Sequence, residues 1–284
     1  MEIIKMSQNL SELPEIHSYD ALEVTAFNIY NNHFSSIPEA IFAMKNLTNL
    51  NISVNTITKL PKEIGELSQL KIIDFGHNKM KELPRDFFKL SNLEDYVYLH
   101  DNLFEAVPDC FDQLPKIKYL NLSGNQLKQL PKSVGVLSDL QELRLMDNHL
   151  DQLPETLKAL TNLRELYLKN NQLTSFVFPE TLWGKLRVLD LEKNNLVQLG
   201  LDFSQLSGLQ RLNLRSNQLA KLPAELGKAQ QLIELDLRSN HLTELPEEIL
   251  QLKQLRRLDL RWNHELKRPS WLKELAAQDC VIYY

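Results

Sequence analysis

The chain has 284 residues, of which 43% are hydrophobic and 24% are charged, and its formal net charge is −5. This composition is typical of a folded, soluble protein rather than a disordered one, and no run of about 18 apolar residues predicts a membrane-spanning helix. An acidic chain lacks the basic footprint that nucleic-acid binding requires. We therefore expect neither nucleic acid nor a membrane as partner.

An internal repeat runs through the chain. Eleven asparagines, each followed within three positions by an apolar residue, recur every 23 residues with one step of 24. If this asparagine is position 9 of a repeat, positions 1, 4, 6 and 11 are apolar, and a Leu-Pro step usually follows. The asparagines are Asn32, Asn55, Asn78, Asn102, Asn125, Asn148, Asn171, Asn194, Asn217, Asn240 and Asn263.

Each repeat predicts one strand and one return segment. Positions 4 to 6 alternate apolar, polar and apolar, so the strands stack into a parallel sheet with about 4.8 Å between neighbours. Positions 4 and 6 then point into the core, and positions 3, 5 and 7 point out of the sheet. The asparagine can donate to and accept from backbone groups of the turn, and its loss should cost on the order of 1–3 kcal/mol. Proline lacks a donor, so the Leu-Pro step opens the return segment.

In chain order, the prediction has three parts. Residues 1–23 form a degenerate repeat, residues 24–268 form a solenoid of eleven repeats, and residues 269–284 form a C-terminal cap. A stacked solenoid exposes apolar core at its ends, so we interpret the helix expected from Pro269, with its apolar tail, as a cover rather than a recognition helix. The degenerate repeat follows the frame at Ile4, Met6, Asn9, Leu10, Leu13, Pro14 and Ile16.

The frame resembles that of the leucine-rich-repeat superfamily, in particular its intracellular Ras-group and bacterial members. The motifs LPKEI at 60–64, LPAEL at 222–226 and LPEEI at 245–249 carry this resemblance, which covers essentially the whole chain. It implies an α/β solenoid: a right-handed horseshoe with a parallel β-sheet on the concave face and short helical or irregular segments on the convex face. It also implies protein recognition on the concave face, without naming a partner.

Aromatic and soft side chains occupy outward positions in the middle of the chain, and Tyr30 lies at one such position nearer its start. Such side chains are typical of protein-binding surfaces, since they offer contact area at modest entropic cost. The alternative is that they pack against each other on the sheet without any partner. The predicted binding residues of this region are Tyr30, His77, Tyr96, Tyr98, His100, Tyr119, Met146, Tyr167 and Lys169.

Arginines dominate the outward positions of the C-terminal third. Guanidinium groups bind carboxylates and phosphates in a bidentate manner, so this ladder predicts recognition of an acidic or phosphorylated segment. The alternative is that the arginines only pair with the interleaved Glu234, Asp236 and Asp259. The predicted binding residues here are Arg211, Arg215, Arg238, Arg257, Arg261 and Trp262.

Enzymatic chemistry is not indicated. His77, His100 and Asp101 could lie close across neighbouring strands, but no further ligand or nucleophile accompanies them, so we expect no catalytic, metal or cofactor site. Three segments depart from the frame, at Asp95–Val97, Phe176–Gly184 and Gly200. Sequence drift explains them more simply than a binding site does.

The sequence thus predicts a monomeric adaptor or scaffold that binds another protein on its concave face. The alternative is a bacterial effector or signalling regulator that recognises a host or phosphorylated acidic protein through the arginine ladder. No secretory signal is visible in residues 1–10, and Cys110 and Cys280 are too far apart along a solenoid to pair. We therefore expect a cytoplasmic protein, with signal-independent delivery outside the cell as the alternative.

Overall fold

The computed structural model describes residues 1–13, 20–178 and 180–284. These residues fall into two compact units, Met1–Leu140 and Gln141–Tyr284. Each unit repeats one pattern of a short strand, a turn and a return segment, which confirms the α/β solenoid with a parallel sheet. Pro14 and Ile16 of the predicted degenerate repeat lie outside the described residues. The boundaries at residues 23 and 268 stay predictions.

Six parallel strands form the sheet in the described part of the N-terminal unit. Phe27 pairs with Leu50, and Leu50 pairs with Ile73. The extra residue of the 24-residue step is taken up before the fifth strand, where Ile73 pairs with Val97. The strands are β1 (Glu2–Ile4), β2 (Ala26–Asn28), β3 (Asn49–Asn51), β4 (Ile72–Asp74), β5 (Tyr96–Tyr98) and β6 (Tyr119–Asn121).

The described part of the C-terminal unit contains nine strands. They are β7 (Glu142–Arg144), β8 (Glu165–Tyr167), β9 (Ser175–Phe178), β10 (Val188–Asp190), β11 (Gln198–Leu201), β12 (Arg211–Asn213), β13 (Glu234–Asp236), β14 (Arg257–Asp259) and β15 (Val281–Tyr283). The order β7-β8-β10-β12-β13-β14-β15 continues the repeat pattern, while β9 and β11 form a separate two-stranded parallel sheet.

Most return segments are short 3₁₀ helices that start directly after a proline. Pro61, for example, has an extended backbone, and the helix Lys62–Glu66 follows it. This is the position where a residue without an N–H group loses nothing. The other helices are Ala21–Glu23, Glu39–Ala43, Arg85–Lys89, Phe111–Gln113, Lys132–Val136, Glu155–Ala159, Ala224–Lys228 and Glu247–Gln251.

The frame break at Phe176–Gly184 has a structural explanation. Strand β9 replaces the 3₁₀ helix there, and Trp183 is fully buried against Phe178, with ring centroids 5.1 Å apart. The indole Nε1–H donates to the carbonyl of Leu157 at 2.9 Å. Pro179 lies outside the described residues. The break therefore fills the core with a larger side chain whose polar group is satisfied.

Frame leucines and frame asparagines hold the stack together. Leu143 and Leu166 are fully buried, as positions 4 of neighbouring repeats should be. Asn55 donates from Nδ2 to the carbonyls of Ile29 and Ile52, at 2.9 and 3.1 Å, and its Oδ1 accepts the N–H of Phe34 at 3.0 Å. The amide bonds backbone groups of its turn, as the sequence predicted, and it also ties two neighbouring repeats together, which the sequence analysis did not predict.

The C-terminal segment differs in detail from its prediction. The α-helix α1 spans Leu272–Ala276 and so begins after Pro269, with Leu272 and Leu275 buried. The tail then adds a strand, because β15 pairs with β14 in the parallel register of the repeats. No helix among the described residues is both long and apolar enough to span a membrane.

Candidate functional site

Most of the predicted binding residues lie at positions 3, 5 and 7 of the repeats, whose side chains share one face of the sheet in each unit, whereas His77 and Trp262 lie at position 8, in the turn after the strand. We call the face formed by positions 3, 5 and 7 the outward sheet face. On β5, Tyr96 is exposed and Tyr98 is half-buried, while Val97 between them is fully buried. Not every such side chain is exposed, because Ser53, Asn121, Ser123, Glu192 and Asp259 are buried.

Position 5 has a structural role that sequence reasoning missed. The side-chain oxygen of Asn51 accepts the N–H of Ser53 at 2.9 Å, and Asp74 accepts the N–H of Gly76 at 3.1 Å. Such Asx turns end the strand and fix the direction of the chain. The signal was present, because Asn or Asp fills this position in most repeats. The same bond is made by Asn28, Asn121, Asp190, Asn213 and Asp236.

Three strands give this bond up. Position 5 is Tyr98 on β5, Arg144 on β7 and Tyr167 on β8. None of these side chains carries a short acceptor for the N–H two residues later, so each strand end forgoes roughly 1 kcal/mol of hydrogen bonding. These side chains make ring and polar contacts on the outward side of the sheet instead, and a broken local rule of this kind is expected at functional positions. The departure therefore marks these residues more strongly than their aromatic or charged character does.

In the N-terminal unit, five predicted residues form a continuous aromatic cluster. The ring centroid of Tyr98 lies 4.9 Å from that of Tyr119 and 5.9 Å from that of Tyr96. The two rings on β5, Tyr96 and Tyr98, are stacked. His100 lies 5.8 Å from Tyr98, and His77 lies 4.8 Å from His100, measured between ring centroids. Offset and edge-on contacts at these distances are favourable and hold the rings in place. Tyr30 is half-buried and lies two residues after β2.

In the C-terminal unit, Tyr167 is held by its neighbours. Its hydroxyl donates to Glu165 Oε2 at 2.6 Å, and the guanidinium of Arg144 lies 4.9 Å from its ring centroid. Burial, followed by the hydrogen bond to Glu165, raises the pKa of the Tyr167 phenol, which therefore stays protonated at neutral pH. Lys169 Nζ lies 3.2 Å from Glu192 Oε2, and Met146 is half-buried two residues after β7.

The arginine ladder is paired with carboxylates of its own sheet. Arg238 makes a bidentate contact with Asp236, and its Nε lies 3.5 Å from Asp259 Oδ2. Arg261 donates to both oxygens of Asp259, at 2.9 and 2.7 Å, and Arg257 lies 3.6 Å from the same carboxylate. The alternative that the arginines pair with interleaved acids thus describes Arg238 and Arg261.

The remaining residues of the ladder are held less tightly. Arg215 lies 3.9 Å from Glu192, and Arg211 lies 3.8 Å from Glu234. Trp262 is 51% exposed and lies beneath the guanidinium groups of Arg215 and Arg261, at 5.9 and 5.5 Å. Cation–π contacts of this kind are worth about 0.5–1 kcal/mol at exposed sites. Trp262 and Arg211 both remain exposed to solvent.

Two acids at position 5 of this unit have opposite electrostatics. Burial raises the pKa of Asp190, and neighbouring Glu192 adds to the increase. Burial also opposes ionisation of Asp259, but the hydrogen bond from Arg261 and the charge of Arg238 outweigh it and lower the pKa of Asp259. The arginines thus stabilise the ionised carboxylate of Asp259, whereas ionisation of Asp190 costs folding free energy.

Nucleophilic and metal-binding groups are few on these surfaces. Cys280 is buried, and burial raises the pKa of its thiol to about 11, so it is a poor nucleophile. Within the described ranges, His77, His100 and Asp101 are the one group of metal-ligating side chains close enough to share an ion, with ligand atoms within 4.8 Å of one another.

Comparisons with known proteins agree with this architecture. Three family models match, described as leucine-rich repeat (residues 22–80, 45–96 and 68–127), leucine-rich repeats in 2 copies (residues 138–180) and leucine-rich repeat region (residues 178–278). No curated protein matches the chain significantly.

Solved structures are similar over most of the chain. A leucine-rich-repeat protein of Leptospira interrogans is 29% identical, with a TM-score of 0.69 over 97% of this chain and 82% of that one. A TDR receptor is 30% identical, with a TM-score of 0.75 over 84% of this chain but 43% of the receptor. The Toll–Spatzle complex of Drosophila, at 24% identity and a TM-score of 0.77, shares the fold over 92% of this chain and 37% of that chain. The chain belongs to the leucine-rich-repeat proteins.

Proposed function

We propose that this chain is an adaptor or scaffold that binds another protein through its outward sheet face. The fold is that of a protein-interaction module, and receptors and protein complexes occur among the solved structures that share it. The observation that carries the proposal is the replacement of the Asx residue by Tyr98, Arg144 and Tyr167. These strands give up a turn bond and gain large side chains on the solvent face.

The energetics favour the aromatic residues over the arginines as the source of affinity. Tyr96 is 47% exposed although its ring is already stacked on Tyr98, so a partner can bury it with little loss of side-chain entropy. An anion that approaches Arg238 must instead compete with Asp236 and Asp259. This pairing argues against the alternative of a phosphorylated or acidic partner recognised through the ladder.

The proposal includes a monomeric, non-enzymatic protein of the cytoplasm. Free thiols at Cys110 and Cys280 support a reducing compartment. Adaptor action requires only the exposed face, so neither cofactor nor catalytic residue is part of it. The partner is a protein with an apolar or aromatic patch that complements the tyrosines.

Affinity capture followed by titration with the purified partner tests the proposal. The chain is compared with a Tyr98→Ala, Tyr167→Ala variant, which we expect to lose at least about 2 kcal/mol of binding, or roughly 30-fold in Kd. Val136→Ala is the matched control, because Val136 is 55% exposed on a return segment, away from the sheet. Equal affinity of the tyrosine variant and the wild type would move the binding site off this face.

A further inference from the structure

A histidine pair and an aspartate meet at the ends of β4 and β5 in the N-terminal unit. His77 Nδ1 lies 3.4 Å from Asp101 Oδ2, and His100 Nε2 lies 4.0 Å from the same oxygen. One ligand atom from each residue lies within 4.8 Å of the other two. Ligands around a tetrahedral ion with bonds of about 2.0–2.1 Å are about 3.3 Å apart, so the three groups must converge by up to about 1.5 Å, within the reach of side-chain rotation.

The backbone fixes the three residues relative to one another. The N–H of His77 donates to the carbonyl of His100 at 2.9 Å, and the N–H of Asp101 donates to the carbonyl of Ser123 at 2.8 Å. The side chain of His100 is 20% exposed, whereas that of His77 is 53% exposed. The largely covered imidazole of His100 thus stands beside two more exposed ligand groups, since the Asp101 side chain is 46% exposed.

Two glycines create the space for this arrangement. A Cβ atom at Gly76 would lie 2.7 Å from His100 Nδ1, so any side chain there would displace the imidazole. A Cβ atom at Gly124 would lie 2.9 Å from Asp101 Cγ, so a side chain there would displace the carboxylate. Glycine is otherwise absent from these two frame positions, which carry side chains in the other repeats. Both exceptions flank the same cluster on neighbouring strands.

We propose that His77, His100 and Asp101 bind one divalent transition-metal ion of the zinc class. Two imidazoles and one carboxylate are a ligand set that suits Zn²⁺, whereas Mg²⁺ and Ca²⁺ require oxygen ligands. Three protein ligands leave a coordination position for water or an incoming group. The site goes beyond the proposed protein binding and does not depend on it.

Calorimetric titration of the tag-free chain with Zn²⁺ tests the site. We expect one ion per chain, with affinity weakened at least about tenfold by His77→Asn and by Asp101→Asn, since each removes a ligand. Both residues have a left-handed backbone, with φ of 50°, which asparagine tolerates, so both variants should fold. His241→Asn, which removes a histidine outside the cluster, is the matched control and should bind as the wild type does.

A spectroscopic readout separates a metal site from a structural role. Co²⁺ in place of Zn²⁺ should give the visible absorption of a low-coordinate nitrogen and oxygen site in the wild type and in His241→Asn. The same absorption should be lost in Asp101→Asn and in His100→Gln while their far-ultraviolet circular dichroism is unchanged. Absence of zinc binding in the wild type, or binding by His77→Asn and Asp101→Asn that is as tight as that of the wild type, would overturn the proposal. Neither result bears on partner capture through the tyrosines.

Discussion

The outward sheet faces of the two units differ in how their side chains are already engaged. Around β5 and β6, aromatic rings contact one another through favourable geometry and still expose large surfaces, as the 47% exposure of Tyr96 shows. Around β13 and β14, charged groups neutralise each other, and Asp259 is fully buried beneath Arg238 and Arg261. Stacked rings can be buried by a partner without breaking anything, whereas paired ions must first exchange partners. The charged face of the C-terminal unit therefore contributes more to the stability of the fold, and the aromatic face of the N-terminal unit is more available to a partner.

The largest expected effect is on binding. A Tyr96→Ala, Tyr98→Ala variant should lose at least about 30-fold in affinity for the protein partner, because hot-spot aromatics are worth about 2 kcal/mol or more. An Arg211→Ala, Arg257→Ala variant removes two exposed arginines of the other unit and should lose less than about fivefold. Biolayer interferometry on the immobilised partner measures both. The reverse order of effects would assign recognition to the C-terminal unit.

The second effect is on stability and concerns position 5. Asp259→Asn removes the charge that Arg238, Arg257 and Arg261 share, and should lower the free energy of unfolding by about 2 kcal/mol. Asp74→Asn changes the same frame position in the N-terminal unit, and the side-chain oxygen there can still accept the N–H of Gly76. This variant should change the free energy of unfolding by less than about 0.5 kcal/mol. Urea unfolding compares the two. If both variants lost the same free energy of unfolding, the charge at position 5 would contribute equally to stability in both units.

The stability difference between the wild type and Asp259→Asn should also depend on pH. The pKa of Asp259 is lower in the folded state, so its carboxylate stabilises the fold at every pH above the unfolded value of about 3.9. That contribution is lost as the pH falls through the depressed folded pKa. The stability gap between the wild type and Asp259→Asn should therefore be constant from about pH 8 to pH 5 and shrink below about pH 4. A gap that stays constant in acid would contradict the assignment.

Periodicity predicted the elements that repeat, because the same physical requirement recurs in every copy. The strands, the buried leucines and the amide network of residues such as Asn55 all follow from apolar spacing and from the need to satisfy buried polar groups. The second sheet of β9 and β11 could not be predicted in this way. It depends on how Trp183 packs in one repeat, and a feature that occurs once produces no repeating pattern in the sequence.

The candidate site was predicted as a set of residues but not as a set of contacts. Sequence register places Tyr98 and Arg238 on the outward face, but it does not say which neighbour each side chain reaches. The bidentate contact of Arg238 with Asp236 depends on rotamers, and so does the burial of Asp259. The Asx role of position 5 was visible in the composition of that column, where Asn or Asp recurs, but the sequence analysis did not draw it.

The smallest expected effect separates the charges that stabilise the C-terminal unit from one that does not. Asp190 fills position 5 of β10, and burial raises its pKa in the folded state, so its ionisation costs stability at neutral pH. Asp190→Asn keeps the acceptor for the N–H of Glu192, which lies 3.0 Å away in the wild type, and removes the half-buried charge. The variant should therefore be more stable than the wild type at pH 7, by less than about 1 kcal/mol. The gain should vanish as the pH falls through the raised folded pKa to below about 3.9, where the wild-type carboxyl is protonated in both states.

Thermal unfolding at pH 7 and in acid measures this gain in stability, with Asp74→Asn as the control at the same frame position. Destabilisation at pH 7 would mean that the Asp190 carboxylate is engaged as Asp259 is, and the contrast between the two acids would fail.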